Sequence, residues 1–161
     1  MTQNVTMIRI GIILLVVFGF SDATCPDGWT RFHSSCYLFG HTAYTFLDAQ
    51  RQCEHYKATL VNIESREEYN FIRGFLMMIC DQLHWIGLTD ETTEGTWKYY
   101  PSEKIAEFLN WYPGDREPNE GTRANCAAIY AGYNYQYADS PCTAQYQSIC
   151  ELADGGVDIV G

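Results

Sequence analysis

Trp111-Tyr112-Pro113-Gly114-Asp115-Arg116-Glu117-Pro118-Asn119-Glu120, running on to Cys126, is the stretch from which the rest of the chain can be read. It is polar, acidic and rich in turn formers, with an aromatic pair at its start and a cysteine at its end. Glu117 and Asn119 flank Pro118, the residue type that accommodates a cis peptide in a turn. A cis bond would turn both oxygen-bearing side chains toward one point. A hard cation such as calcium asks for such a point, because it gathers roughly six to eight oxygens. Residues 101–124 show little hydrophobic periodicity. A loop of that length within one domain is uncommon and usually functional. The remaining elements therefore read as scaffolding that holds this loop in solvent.

Working outward, Trp29-Thr-Arg-Phe32 and Ser35-Cys-Tyr-Leu-Phe39 are β-rich and predict a hairpin across His33-Ser34. Thr45 to Lys57 predicts a helix capped by Thr45, with Phe46, Ala49, Cys53 and Tyr56 on one inward stripe. Thr59 to Ile63 is a short strand. Ser65-Arg-Glu-Glu68 is a capping box that opens a second helix, with Tyr69, Ile72, Leu76 and Ile79 inward. Phe71, Phe75 and Met78 make that helix apolar on more than one side, which predicts packing all round. His84 to Thr89 is a nearly continuous apolar run and predicts the central strand. Asp90 to Gly95 is an acidic turn, and Thr96 to Tyr100 returns as a strand. Asn125 to Tyr130, Tyr135 to Asp139 and Ser148 to Leu152 are the closing strands. Tyr133, Tyr135 and Tyr137 alternate, so they are expected on one strand face.

The composition bounds the class. Arg9 followed by the apolar run Ile10–Phe20 fits a secretory signal, and the run is shorter than the about 20 residues that span a bilayer. Small residues favour cleavage after Ala23. The expected organisation is a signal peptide over 1–23, one domain over 24–152 and an acidic, frayed tail over 153–161. The net charge is −10, and losing Arg9 together with Asp22 leaves it unchanged. Such an acidic balance argues against nucleic acid and anionic membranes as partners. All seven cysteines follow the signal. In an oxidising compartment they imply a disulfide framework with one thiol left over, either buried or paired with another chain. No Gly-x-Ser-x-Gly, His-Glu-x-x-His or Gly-rich phosphate loop is present, so an enzyme is not expected.

Taken in order, Cys25-Pro-Asp-Gly-Trp29, Trp85-Ile-Gly-Leu88, Glu117-Pro-Asn119 and Cys126…Cys142…Cys150 resemble the C-type lectin-like domain, over essentially all of Cys25 to Leu152. The resemblance implies an α+β fold, with two helices flanking small antiparallel sheets and a long projecting loop. It implies the bridges Cys25–Cys36, Cys53–Cys150 and Cys126–Cys142, which leave Cys80 for a disulfide-linked homodimer or a buried thiol. Sugar-binding members hold calcium in the long loop, and the ion ligates neighbouring sugar hydroxyls. The Glu-Pro-Asn form resembles members that prefer mannose, glucose and N-acetylglucosamine. By this resemblance Glu117, Asn119 and Asp139 are the metal ligands and glycan contacts; of the alternating tyrosines, Tyr137, which adjoins Asp139, is the expected stacking face for a sugar. A weaker second calcium position would use Asp90, Glu94 and Glu120.

The chain also departs from that pattern. Where the family has a Glu two residues before Cys126, this chain has Ala124. Where the family has Trp-Asn-Asp, this chain has Tyr137-Ala138-Asp139. Each lost oxygen moves calcium affinity toward the weak end, roughly 10⁻⁴ to 10⁻³ M. The expectation is a secreted glycan-binding lectin serving innate recognition or agglutination. The alternative is a calcium-independent lectin-like domain that binds a protein or a mineral surface.

Overall fold

The computed structural model describes residues 24–153. The expected signal over 1–23 and the tail beyond Ala153 lie outside the described residues. The elements in order are β1 (Thr30–Phe32), β2 (Ser35–Phe39), α1 (Phe46–His55), β3 (Thr59–Leu60), α2 (Arg66–Ile79), β4 (Leu83–Thr89), β5 (Lys98–Tyr99), β6 (Lys104–Ile105), β7 (Cys126–Tyr130), β8 (Gln136–Ser140) and β9 (Gln147–Ala153). Small antiparallel sheets were expected, and two antiparallel groups form. One is β1-β2-β9 with β3 on β9, and the other is β4, β5 and β6 with β7 and β8. A parallel pairing of His84 and Trp85 on β4 with Gln147 and Ser148 on β9 joins the groups into one mixed sheet.

β4 explains its own composition. Ile86 and Leu88 face the core under α2, with Tyr37, Ile72, Leu76 and Ile149. Trp85 faces the core under α1, with Phe46, Ala49, Cys53 and Leu60. A strand covered on both faces reads as an unbroken apolar run. Gly87 sits where a Cβ would lie 2.6 Å from Asn62 Oδ1 and 2.8 Å from the Leu60 carbonyl oxygen. Only glycine lets the chain at β3 cross this closely, and the Gly87 N–H donates to the Val61 carbonyl at 2.8 Å.

Both helices start where side chains satisfy otherwise unpaired N–H groups. Thr45 Oγ1 accepts from the Asp48 N–H at 3.4 Å, and Ser65 Oγ accepts from the Glu68 N–H at 3.1 Å. Glu68 Oε2 reaches back to the Glu64 N–H at 2.9 Å, one residue before the cap itself. Two packing expectations change. Tyr56 caps the end of α1 and stays 43% exposed, because the helix stops at His55. Phe71 and Phe75 stack on Phe32 and Phe39, but Met77 and Met78 remain 47% and 69% exposed. The last turn of α2 is thus uncovered, where packing all round was expected.

The three disulfides are Cys25–Cys36, Cys53–Cys150 and Cys126–Cys142. Cys80 is free and exposed in a left-handed cap (φ 55°), which replaces the buried-thiol alternative.

Two outcomes follow for stability. Cys53–Cys150 closes the longest loop, with a separation of 97 residues against 11 for Cys25–Cys36. Replacing both Cys53 and Cys150 by Ala should cost about 2–5 kcal/mol in urea unfolding, more than the same change at Cys25 and Cys36. Burial, aided by the nearby Glu151 carboxylate, raises Glu68 from 4.5 to about 7 even though the Glu64 N–H bond pulls the other way. As pH rises from 4.5 to 7, the unfolded carboxyl sheds a proton that the folded one retains. The unfolded state then binds fewer protons, and Glu68 progressively lowers stability across that window. The thermal midpoint of wild type, measured relative to Glu68→Gln, should fall between these pH values. A constant difference would contradict the assignment.

Candidate functional site

The long segment is anchored on β8. The Tyr112 N–H donates to the Tyr137 carbonyl and the Tyr137 N–H to the Asn110 carbonyl, both at 3.0 Å. Trp111 packs its ring on Trp97 at 4.6 Å and edge-on to Tyr137 at 5.8 Å. Further out, Tyr133 stacks on Tyr112 at 4.2 Å and nearly parallel. The Tyr133 hydroxyl bonds the Asp115 carboxylate, which lifts its pKa to about 12. One tyrosine from the β7–β8 connection thereby holds the loop at two points.

The tip is tied down by Asp139. This 8%-exposed carboxylate on β8 accepts the Asn119 N–H at 3.2 Å on Oδ1 and the Glu120 N–H at 2.9 Å on Oδ2. Asn119 Nδ2 donates to the Asp115 carbonyl and to Glu117 Oε1, both at 3.0 Å. The Glu117–Pro118 bond is cis, as is Tyr100–Pro101. Glu117, Asn119 and Asp139 therefore meet at one place, where the sequence expected them. Burial first, then the hydrogen bond and charge of Asp139, push the Glu117 carboxyl up to about 8.

The residues of the second expected cluster lie in the turn after β4 and at the end of the long loop, with no three of them grouped as a metal set among the described residues. Asp90 is 3% exposed, and its Oδ2 accepts the Gly95 N–H at 2.8 Å. Burial raises its pKa. Glu94 Oε1 reaches the turn at Gly121, next to Glu120. Asn125, which sequence reasoning passed over, belongs here. Its carbonyl takes the Thr89 hydroxyl at 2.6 Å, and its Oδ1 is buried without a donor. The only signal was its place beside Cys126 at the loop's end.

Tyr137 corrects an expectation. It is 1% exposed, with its ring between Tyr69 and Trp111, so it belongs to the core and not to a sugar-facing surface. The alternation of Tyr133, Tyr135 and Tyr137 fails because Asn134 and Tyr135 adopt positive φ, 54° and 61°, and β8 begins only at Gln136.

A cavity of about 420 Å³ opens beside the tip. Glu117, Asn119, Glu120 and Asp139 line it, as do Tyr130, Tyr133 and Tyr146, with smaller residues of β7 and β8 between them. This is within the size range of small-ligand sites. A larger cavity, about 510 Å³, lies between the β1–β2 hairpin and the start of α2 and shares no residue with the loop. The chemistry expected from the sequence belongs to the smaller one.

Among the described residues no three His, Cys, Asp or Glu side chains form a ready-made metal group. The fit to a cation comes from elsewhere. Three buried oxygens around the loop, Asp90 Oδ1, Glu117 Oε2 and Asn125 Oδ1, have no hydrogen-bond partner. Buried acceptors are normally satisfied, and a bound ion is one way to satisfy them. Glu117, Asn119 and Asp139 would hold it at the tip, without help from Ala124 or Ala138.

Comparison with known proteins agrees with this architecture. The chain is 27% identical over 152 residues to a perlucin-like protein of Mytilus galloprovincialis, covering 88% of this chain and 96% of that one. It spans 29–61% of the length of several C-type lectin domain family proteins that it also resembles. Among solved structures, the mouse scavenger receptor C-type lectin carbohydrate-recognition domain superposes with a TM-score of 0.69 at 32% identity, over 81% of this chain and 98% of that one. A calcium-independent type II antifreeze protein superposes at 0.72 with 28% identity, over 81% and 95%. The family model for the lectin C-type domain matches residues 42–152, most of the described fold and all of the loop, and the chain belongs to that family.

Proposed function

We propose that this chain is a secreted glycan-binding lectin whose ligand seats in the cavity at Glu117, Asn119 and Asp139. The observation that carries the reading is the convergence of these groups, with an unpartnered Glu117 oxygen, on a cavity walled by tyrosines. An amide and a carboxylate side by side supply both donor and acceptor to a pair of sugar hydroxyls. The likeness to a carbohydrate-recognition domain supports the same use. Among the described residues no helix is long and apolar enough to cross a membrane.

Within this reading, the site holds calcium weakly through Glu117, Asn119 and Asp139, and a second ion rests on Asp90, Glu94 and Glu120 with Asn125. When bound, calcium supplies a positive centre for hydroxyl oxygens of mannose-, glucose- or N-acetylglucosamine-type sugars. The protein's own part is orientation. Asp139 fixes the backbone of residues 119 and 120, so the Asn119 and Glu117 side chains present a preset edge to the sugar. The second reading, a metal-independent domain for a protein or mineral surface, is favoured by the likeness to a calcium-independent antifreeze protein and by the net charge of −10.

Calcium titration followed by thermal shift separates the two readings. The calcium lectin should show a half-saturation of roughly 10⁻⁴ to 10⁻³ M, with retention on mannose- or N-acetylglucosamine-agarose that EDTA removes. Ala138→Asn adds one side-chain oxygen at the cavity floor and should tighten the ion about tenfold. No shift in either protein, and no glycan retention, would leave the surface-binding reading standing.

Dimerisation through Cys80 completes the proposal. The thiol is exposed beside Met77 and Met78, and pairing two weak sites raises avidity by about 10²–10⁴ when geometry permits. Non-reducing electrophoresis should show a dimer for wild type and a monomer for Cys80→Ser. A monomer for both rejects the bridge.

A further inference from the structure

The cavity at the loop has a feature that neutral sugars leave unused. It sets three tyrosines against the adjoining carboxylates of Glu117 and Asp139, with Glu120 nearby, and no lysine or arginine is among the described residues that line it. Asp139 is almost fully buried and already commits its oxygens to two backbone N–H groups. Glu117 Oε1 takes the Asn119 amide, but Glu117 Oε2 is buried with no donor at all. A buried acceptor in that state wants a hydrogen-bond donor, and one beside a second carboxylate wants a positive one.

The rest of the enclosure describes what carries that charge. Ala128 and Ala138 lie directly opposite each other on β7 and β8, and both line the cavity. Tyr130 and Tyr133 meet edge to face at 4.8 Å, and Tyr146 closes the far side, with its hydroxyl held by Ser140 Oγ at 2.9 Å. Tyrosine faces suit the C–H face of a pyranose and attract a nearby cation.

We infer that this cavity takes a protonated amino sugar, its ammonium seated on Glu117 and Asp139 in place of a metal ion. The inference rests on the reading of this cavity as the glycan site and names the glycan class. An ammonium offers three donors from one compact centre, enough for Glu117 Oε2 with donors to spare for the neighbouring carboxylate. An N-acetylated sugar brings no positive charge to set against these two acidic groups. Calcium and the ammonium compete for the same oxygens, so calcium weakens this binding, the reverse of its effect on a neutral sugar.

The test uses the mature chain and two glucosamine oligomers of equal length, one fully deacetylated and one fully N-acetylated, titrated by calorimetry with EDTA or with calcium. The deacetylated oligomer should bind at least about tenfold more tightly in EDTA, and calcium should weaken it. Glu117→Gln should remove that preference, while Glu107→Gln, an exposed change of the same charge outside the cavity, should retain it. Equal losses in the two variants would mean general attraction of a polycation to an acidic protein, and would overturn the inference. Binding of the N-acetylated oligomer only with calcium, with no gain on deacetylation, would overturn the inference and leave the calcium-lectin reading intact. Binding of neither oligomer under either condition would overturn the inference together with the glycan reading.

Discussion

The position of β9 is the constraint on which the molecule depends. This last strand pairs antiparallel with β2 and β3 and parallel with β4, and so lies between both halves of the sheet. Cys150 at its centre is 1% exposed and covalently joined to Cys53 on α1. Neither core can close before the C-terminal strand arrives, because Ile149 belongs to the core under α2 and Cys150 to the core under α1. The contacts that define the fold are therefore far apart in sequence, a topology that raises the entropic cost of assembly and gives a disulfide across it unusual leverage. Once β9 is in place, the segment between β6 and β7 has no structural duty in either core beyond its anchor residues. That freedom is what makes a long irregular loop tolerable here.

A loop with that freedom would fray if its polar groups were left to solvent alone. Instead its two ends and its tip are bound differently. Trp111 and Tyr112 secure the entry through β8 and Tyr133, and the bridge from Cys126 to Cys142 secures the exit. At the tip a single buried carboxylate, Asp139, gathers two backbone N–H groups. The arrangement has an electrostatic consequence. Asp139 places negative charge beside Glu117 in a partly desolvated place, and the Glu117 carboxyl responds by holding its proton to about pH 8. That proton stands where a bound cation would otherwise offset the charge of the pair. Strongly shifted carboxyls in a cavity are a recognised mark of function, and here geometry and charge agree on the same spot.

Much of this was legible in the sequence, and the exceptions have physical causes. The caps Thr45 and Ser65 and the apolar strand at 84–89 are local signals and form as read, while the cysteine pairing, implied by the family resemblance, forms as that resemblance has it. The tyrosine alternation misled because it assumes extended backbone. Positive φ at Asn134 and Tyr135 turned one tyrosine to brace the loop and sent Tyr137 into the core. Nothing in the residue types Asn-Tyr announces that turn reliably. The exposure of Met77 and Met78 was illegible for another reason: a helix apolar on several sides is ambiguous between a buried helix and one with a bare end. Asn125 escaped notice because its importance lies in an unsatisfied amide oxygen, which only packing reveals.

The two alanines that depart from the family pattern are not equivalent losses. Ala124 is 1% exposed, so the chain has closed over the space where a longer acidic side chain would project. A glutamate placed there would have to bury its charge or push the loop outward, and either costs several kcal/mol on ordinary scales of about 1–3 kcal/mol for overpacking plus an ionised group's desolvation. Ala138 is half-buried and lines the cavity from β8, opposite Ala128 on β7. A larger side chain there would extend from a residue that lines the cavity. The first substitution is thus locked in by packing, whereas the second has left room. A site that had merely decayed would give no reason for that room to be walled by tyrosines and edged by unpaired carboxylate oxygen. The calcium-lectin and amino-sugar readings proposed above share one requirement, that the ligand bring a positive charge, as a weakly held metal ion or as part of the sugar itself.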